Sequence, residues 1–142
     1  IIDALKKSDF SSRYISLCNN YKDIGNGMTF KKDDLLHILN ALKTNLKYSS
    51  KEKVFYANVM IYGNSLRYIL PYKYGFIDCS YTFWNESNNF RIGGSFAEFS
   101  LMIDEEFENK VDFKFPIATS LPDLEKILKQ VLNLHTDFVK NL

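Results

Sequence analysis

The sequence predicts an α+β fold, with helices at both ends of the chain and an antiparallel sheet between them. Three patterns predict it: apolar residues at helical spacing in the first third, β-branched and aromatic runs separated by turn residues in the middle, and one long amphipathic run at the end. Because the 142 residues contain no repeats and no low-complexity linker, we expect a single domain, 1–142.

The first third predicts helices interrupted by a glycine-rich turn. Residues 1–7 and 10–21 have apolar side chains at helical spacing, and the stretch 25–27, Gly-Asn-Gly, breaks the pattern. Thr29 is a candidate N-cap for the next helix, which is expected over 31–46 with acids near its first turn. Its buried stripe is expected to comprise Leu35, Ile38, Leu39, Leu42 and Leu46.

The middle of the chain predicts an antiparallel meander of about five or six strands over 53–117. β-branched and aromatic residues are frequent in this region, and polar turn signals at 63–65 and 85–89 separate the runs. The last hairpin is expected to pair 95–103 with 111–117, with residues 104–110 at its tip. The strands before it are expected at 54–62, 66–70, 76–84 and from 90 onward.

The end of the chain predicts a long helix packed on the sheet. Ser120 is a candidate N-cap, Pro122 lies in the first turn, and Asp123 follows three residues after the cap. The helix is expected to reach about residue 140 and to cover one face of the sheet. Its apolar face comprises Leu124, Ile127, Leu128, Val131, Leu134 and Phe138.

The net charge of +1 conceals an asymmetry along the chain. Residues 1–75 hold twelve Lys or Arg and six Asp or Glu, whereas residues 76–142 hold six and eleven. Within 76–113, eight acids are opposed by Arg91 and Lys110 alone, a net charge of −6. Such a segment has the polarity of a surface for a basic partner.

The sequence contains no recognisable catalytic, metal-binding or cofactor-binding motif. His37 and His135 lie inside predicted helices without a neighbouring nucleophile signature, so a packing role is favoured over catalysis. The acids of 104–108 do not follow the alternating pattern of a calcium loop. Cys18 and Cys79 are expected to be reduced, buried side chains. We therefore expect a protein that is not an enzyme and that has no cofactor or metal.

Neither a membrane nor a nucleic acid is an expected partner. No apolar run approaches the length of a membrane span. The lysines of the first half are dispersed, and the acidic middle would repel phosphate, so a solvated helical surface is the favoured interpretation of those lysines.

The acidic residues and two nearby aromatic residues form the candidate contact surface for a protein partner. A solvated loop is the simplest interpretation of the acids, but aromatic residues close to them favour an interface, because interface centres are enriched in aromatics. The predicted contact residues are Trp84, Glu86, Glu98, Asp104, Glu105, Glu106, Phe107, Glu108 and Asp112.

The segments YTFWNESNNFRIGGSF and SLPDLEKILKQVLNLHTDFV, with the size and layout of the chain, resemble the immunity proteins of bacterial polymorphic toxin systems, those of contact-dependent growth inhibition above all. The resemblance implies a cytoplasmic protein that binds the C-terminal domain of one cognate toxin and blocks its active site. Many such toxins are nucleases with basic grooves, in which an acidic surface mimics phosphate. The near-neutral net charge departs from the commonest pattern of nuclease immunity proteins, which leaves the activity of the toxin open.

Two other interpretations stay open. The chain could be a small enzyme or ligand-binding domain, with a pocket between the aromatic sheet and the C-terminal helix. It could also be an adaptor or structural subunit.

Overall fold

The computed structural model describes all residues, 1–142, and shows the α+β fold that the sequence predicts, with five α-helices and a five-stranded antiparallel sheet. The α-helices are α1 (Ile2–Lys7), α2 (Phe10–Asn20), α3 (Lys32–Ala41), α4 (Phe96–Leu101) and α5 (Leu121–Lys140). The strands are β1 (Lys47–Ser49), β2 (Val54–Ile61), β3 (Asn64–Leu70), β4 (Ser80–Asn85) and β5 (Phe90–Ser95). None of the helices combines the length and the apolar character needed to cross a bilayer.

The strands form a simple meander in the order β1-β2-β3-β4-β5. Each strand pairs with the next along the chain, so short turns are sufficient to connect β2 to β3 and β4 to β5. The register places Ala57 opposite Tyr68, and Tyr68 opposite Tyr81. Directly opposed residues lie on the same face of a sheet, so this row fixes the inward face of the central strands.

All helices pack on that inward face and leave the other face of the sheet open. Phe55, Tyr68 and Tyr81 are fully buried and belong to one contiguous core with residues of all five helices. Tyr56 and Trp84 point to the opposite face of the sheet, where Tyr56 is partly exposed and Trp84 is exposed. The open face is therefore mixed in character, with aromatic residues among the polar ones expected on a solvated face.

The C-terminal helix is the best-predicted element. Ser120 caps it, with Oγ accepting a hydrogen bond of 3.2 Å from the backbone N–H of Asp123, and the helix runs to Lys140. All six predicted apolar positions are buried. Both the cap and the stripe are local patterns, which is why the sequence predicts them well.

The predicted hairpin of 95–103 with 111–117 is wrong. Residues Phe96–Leu101 form α4, because Ser95 and Glu98 make a capping box: the Glu98 N–H donates to Ser95 Oγ at 3.2 Å, and the Ser95 N–H donates to Glu98 Oε1 at 3.3 Å. Residues 111–117 form no strand, and only Ile117 makes an isolated bridge, to Phe76. The sheet consequently covers 47–95 rather than 53–117.

The helix predicted over 31–46 is shorter than expected. It occupies Lys32–Ala41, and its N-cap is Lys31 rather than Thr29. The Lys31 N–H donates to Asp34 Oδ2 at 3.0 Å, so the acid at the third helical position makes the reciprocal contact of a capping box, to the backbone of the N-cap residue. Leu42 and Leu46 follow the helix and are only partly buried, in the connection that leads to β1.

Replacement of Leu128 tests the placement of α5. Leu128 is fully buried, so Leu128→Ala should lower the free energy of unfolding by about 2–5 kcal/mol through lost apolar contact and a residual cavity. Leu121→Ala, at a position 45% exposed on the same helix, is the control and should change it by less than about 0.5 kcal/mol. Urea denaturation measures both. A small effect at Leu128 would contradict the packing of this helix.

Candidate functional site

The predicted acidic hairpin tip is a loop that one buried aromatic residue holds against the helices. In this loop, residues 104–112 (called the acidic segment below), Phe107 is fully buried at the start of a short 3₁₀ helix, Phe107–Lys110. Its ring stacks on Tyr14 of α2, with the ring centroids 6.1 Å apart. The prediction that Phe107 contacts a partner is therefore wrong, because this apolar ring is buried within the core.

Three of the five acids in the segment form ion pairs with lysines. Asp104 Oδ2 lies 2.8 Å from Lys110 Nζ, and Glu108 Oε1 lies 2.8 Å from Lys114 Nζ. Asp112 Oδ2 lies 3.1 Å from Lys22 Nζ, and the two residues are 90 positions apart in the sequence. Ion pairs at a protein surface contribute little to stability, so these pairs chiefly orient the loop.

Asp104 has the densest set of contacts among these acids. Its carboxylate accepts hydrogen bonds from Lys110 Nζ, the backbone N–H of Glu106 and the Ser11 hydroxyl. The bond from Lys110, aided by that from the Glu106 N–H, lowers the pKa of Asp104 below its usual value. Asp104 thus serves the conformation of the loop, and is less available to a partner than the sequence predicts.

The acids next to Phe107 that remain open to a partner are Glu105, Glu106 and Glu108, and Asp112 at the end of the segment is also exposed. All three glutamates are exposed. Glu105 has no ion pair, whereas Glu106 accepts a hydrogen bond from Asn109 Nδ2 at 2.6 Å. Phe107 is buried between Glu106 and Glu108 in the sequence. The three carboxylates, two before Phe107 and one after it, therefore project from an anchored backbone rather than from a free hairpin tip.

Glu98 lies on α4, which packs against the 3₁₀ helix of the acidic segment. Its carboxylate caps α4 while the residue remains exposed. Glu98 is also near Asp78, whose pKa is raised by burial and by the negative charge of Glu98. Asp78 lies just before β4 and Glu98 just after β5, and these two strand ends are neighbours in the sheet. The two acids therefore extend the negative charge to this edge of the molecule.

Trp84 and Glu86 lie apart from the other predicted contact residues. They flank the end of β4, next to the turn that leads into β5, whereas Glu98 follows the opposite end of β5. Trp84 is 45% exposed and points to the open face of the sheet. The predicted surface is thus divided in two by the length of β5, with exposed Tyr62 and Phe90 near Trp84.

A cavity of about 330 Å³ lies between α5, the sheet and the connection from α3 to β1. Its apolar wall is formed by Leu42, Leu46, Ala57, Tyr68 and Leu132. Polar groups at the wall and rim are supplied by Lys43, Thr44, Asn45, Lys129, Asn133, His135 and Thr136. An apolar wall with a few polar groups is the usual composition of a small-molecule site. A pocket between the sheet and the C-terminal helix is one of the alternatives that the sequence leaves open, but the sequence does not identify its lining residues, because they come from four separate parts of the chain.

His135 connects this cavity to the core. Its Nδ1 lies 2.9 Å from the Tyr81 hydroxyl oxygen, and its ring stacks on Tyr68 with centroids 4.4 Å apart. Burial lowers the pKa of His135 to about 4, so the ring is neutral near pH 7. His37, by contrast, is exposed on α3.

The two cysteines are free and buried, as the sequence predicts. Burial raises the pKa of the Cys18 and Cys79 thiols to about 12, so both are protonated near neutral pH. Cys79 Sγ lies 3.3 Å from the Tyr68 hydroxyl, inside the core. Protonated, inaccessible thiols are poor nucleophiles, and neither is a candidate catalytic group. No group of three or more His, Cys, Asp or Glu side chains is arranged to hold a metal ion.

Removal of the Phe107 ring tests whether it anchors the acidic segment. Phe107→Ala should lower the free energy of unfolding by about 3–5 kcal/mol and speed amide hydrogen exchange in 104–112. Phe90→Ala, at a position 52% exposed, is the control and should do neither. If hydrogen exchange in the segment is the same in the Phe107 variant as in the wild type, the anchor is elsewhere.

The depressed pKa of His135 predicts a loss of stability in acid. His135 is protonated near pH 4 in the folded chain, whereas an unfolded histidine is protonated near pH 6.5. The unfolded state therefore binds more protons between these two values. As the pH drops through this window, the free energy of unfolding should fall by roughly 3 kcal/mol or less. His135→Gln should reduce this slope relative to the wild type, while His37→Gln should not. Equal slopes for the wild type and His135→Gln in urea titrations at several pH values would contradict it.

A scan against protein-family models, a search of curated proteins and a search of solved structures found no match to this chain. The acidic segment and the cavity are therefore the two features from which a function has to be inferred.

Proposed function

We propose that this chain is an immunity protein that binds the C-terminal domain of a cognate toxin and blocks the toxin's active site with an acidic surface. The observation that carries this proposal is the set of three exposed carboxylates, Glu105, Glu106 and Glu108, around the buried ring of Phe107. We place the interaction in the cytoplasm of the cell that produces the toxin. The proposed partner surface is basic, as in the groove of a nuclease.

The anchoring of the acidic segment supports a binding role. A flexible loop loses conformational entropy when it is fixed in a complex, and that loss weakens affinity. Here the cost of ordering residues 104–112 is met during folding, by burial of Phe107 and by the ion pairs of Asp104, Glu108 and Asp112. The exposed carboxylates are thereby held in a fixed arrangement before a partner arrives.

The charge of this surface supports a basic partner. The five acids of 104–112 are opposed by Lys110 in the segment and by Lys22 and Lys114 beside it, so the excess is negative, and Glu98 and Asp78 add to it. Long-range attraction of this kind accelerates association and depends strongly on salt. The three paired lysines make the net charge of this surface less negative than the acids alone would give. We therefore expect a contact that combines electrostatic attraction with packing.

Charge reversal of the exposed acids tests the proposal. The triple variant Glu105→Lys, Glu106→Lys and Glu108→Lys should slow association with the cognate toxin domain by at least tenfold at low salt, flatten the salt dependence and weaken protection of growing cells. Because these side chains are exposed, the melting temperature should change by only a few degrees. Stopped-flow or surface plasmon resonance at two salt concentrations measures the rates of association with the toxin domain.

A second triple variant, Asp3→Lys, Asp33→Lys and Glu125→Lys, is the matched control. It makes the same change in net charge at exposed positions outside the acidic segment. It should retain most of the association rate and full protection. Equal slowing by the two triple variants would show that net charge, rather than the acidic segment, controls association, and unchanged rates in both would remove the acidic surface from the proposal.

A ligand-binding domain is the second candidate function, and the cavity beside α5 favours it. Its volume of about 330 Å³ falls within the range of small-molecule sites, and apolar and polar groups converge on it. A binding pocket and an acidic docking surface lie on different parts of the molecule, so the two candidates do not compete for the same residues.

A further inference from the structure

The charged groups at the cavity all have one sign. Lys43 and Lys129 are the only charged residues that line it, and no Asp or Glu contributes to its wall. Asn45 and Asn133 add amide groups at the same wall. A ligand with a positive group would meet two ammonium groups there without a compensating carboxylate, so the electrostatics favour an anion.

The buried hydrogen bond between Tyr81 and His135 fixes the tautomer of the imidazole ring. The Tyr81 side chain is fully buried, and His135 Nδ1 is its one hydrogen-bond partner. A buried hydroxyl hydrogen without an acceptor costs about 1–3 kcal/mol, so the Tyr81 O–H donates and Nδ1 accepts. In a neutral ring the remaining proton is then on Nε2, which is a donor.

The second ring nitrogen of His135, Nε2, is accessible and has no partner within the protein. No protein atom forms a hydrogen bond with His135 Nε2. Arg67 Nε is the single side-chain nitrogen or oxygen that is both buried and without a partner, so the unpartnered Nε2 of His135 is not fully buried. His135 itself lines the cavity. The neutral ring thus presents an N–H donor at the apolar wall formed in part by Tyr68, on which it stacks.

We propose that this cavity binds a small organic anion, whose charged head is held by the Lys43 and Lys129 ammonium groups and by the His135 Nε2–H, and whose apolar body lies against Leu42, Leu46 and Leu132. Carboxylate and phosphate heads share the required chemistry, since each accepts several hydrogen bonds from cationic and neutral donors. This inference rests on the second candidate function and does not depend on the acidic segment.

Probes that differ only in the head group test this proposal. The full chain is titrated to millimolar concentrations with phenylacetate, phenyl phosphate, the neutral phenylacetamide and the cationic phenethylamine, and binding is followed by amide and imidazole ¹⁵N chemical shifts. The two anions should bind saturably, shift Tyr68 and residues 129–136, and move the Nε2–H resonance of His135. Comparison of the two anions shows which head is preferred, and the neutral and cationic probes should bind at least tenfold more weakly.

Lysine replacements provide the matched variants. Lys43→Gln with Lys129→Gln should weaken binding of the preferred anion roughly tenfold, because two of the donors to its head lose their charge. Lys126→Gln with Lys140→Gln, both exposed on α5 outside the cavity, should leave it unchanged. All four side chains are exposed, so folding should be retained.

Three results would overturn the inference. Equal binding of all four probes would keep a ligand pocket but reject anion selectivity. Anion binding that is equally weakened by the two lysine pairs would assign the effect to net charge. No shift with any probe would reject both the anion site and the second candidate function, while leaving the immunity proposal to its own binding kinetics.

Discussion

The fold depends on the burial of Tyr81 at the centre of an aromatic core. Its ring lies 4.8 Å from Phe96 of α4, 5.1 Å from Phe138 of α5 and 6.4 Å from Phe10 of α2, measured between centroids. One residue of the sheet therefore joins three helices to it. Aromatic pairs at these separations add about 0.5–1.5 kcal/mol each to the apolar burial, so this cluster contributes a large part of a typical domain's stability.

The same core extends toward both candidate sites. On one side Phe96 contacts Tyr14, with ring centroids 5.6 Å apart, and Tyr14 stacks on Phe107 at the base of the acidic segment. On the other side Tyr81 holds His135 at the cavity wall. The acidic segment and the cavity are thus both supported by rigid aromatic packing, which is the condition under which a binding surface keeps its geometry before the ligand arrives.

Local patterns in the sequence predicted the elements that local interactions determine. The stripe and cap of α5 lie within one segment, and both were found. The capping box at Ser95 and Glu98 is equally local, but the aromatic, β-prone residues around it favour a strand by pattern alone. The capping box and the burial of Phe96 and Phe99 in the core together stabilise the helix. The burial of Phe107 could not be predicted, because an aromatic residue among acids has no periodicity. The ion pair of Lys22 with Asp112 joins residues 90 positions apart, which the sequence alone does not bring together.

Only one of the two ring nitrogens of His135, Nδ1, contributes to the stability of the core. An apolar residue in place of His135 would leave the Tyr81 hydroxyl buried without an acceptor, which costs about 1–3 kcal/mol, so Nδ1 serves the stability of the core. Glutamine or asparagine oxygens could accept the same bond without a titrating ring. The core therefore requires an acceptor at this point but not an imidazole, and it makes no use of Nε2. What the imidazole adds is a neutral N–H donor held at fixed orientation in an apolar wall, beside two lysines, and that addition concerns the cavity rather than the core.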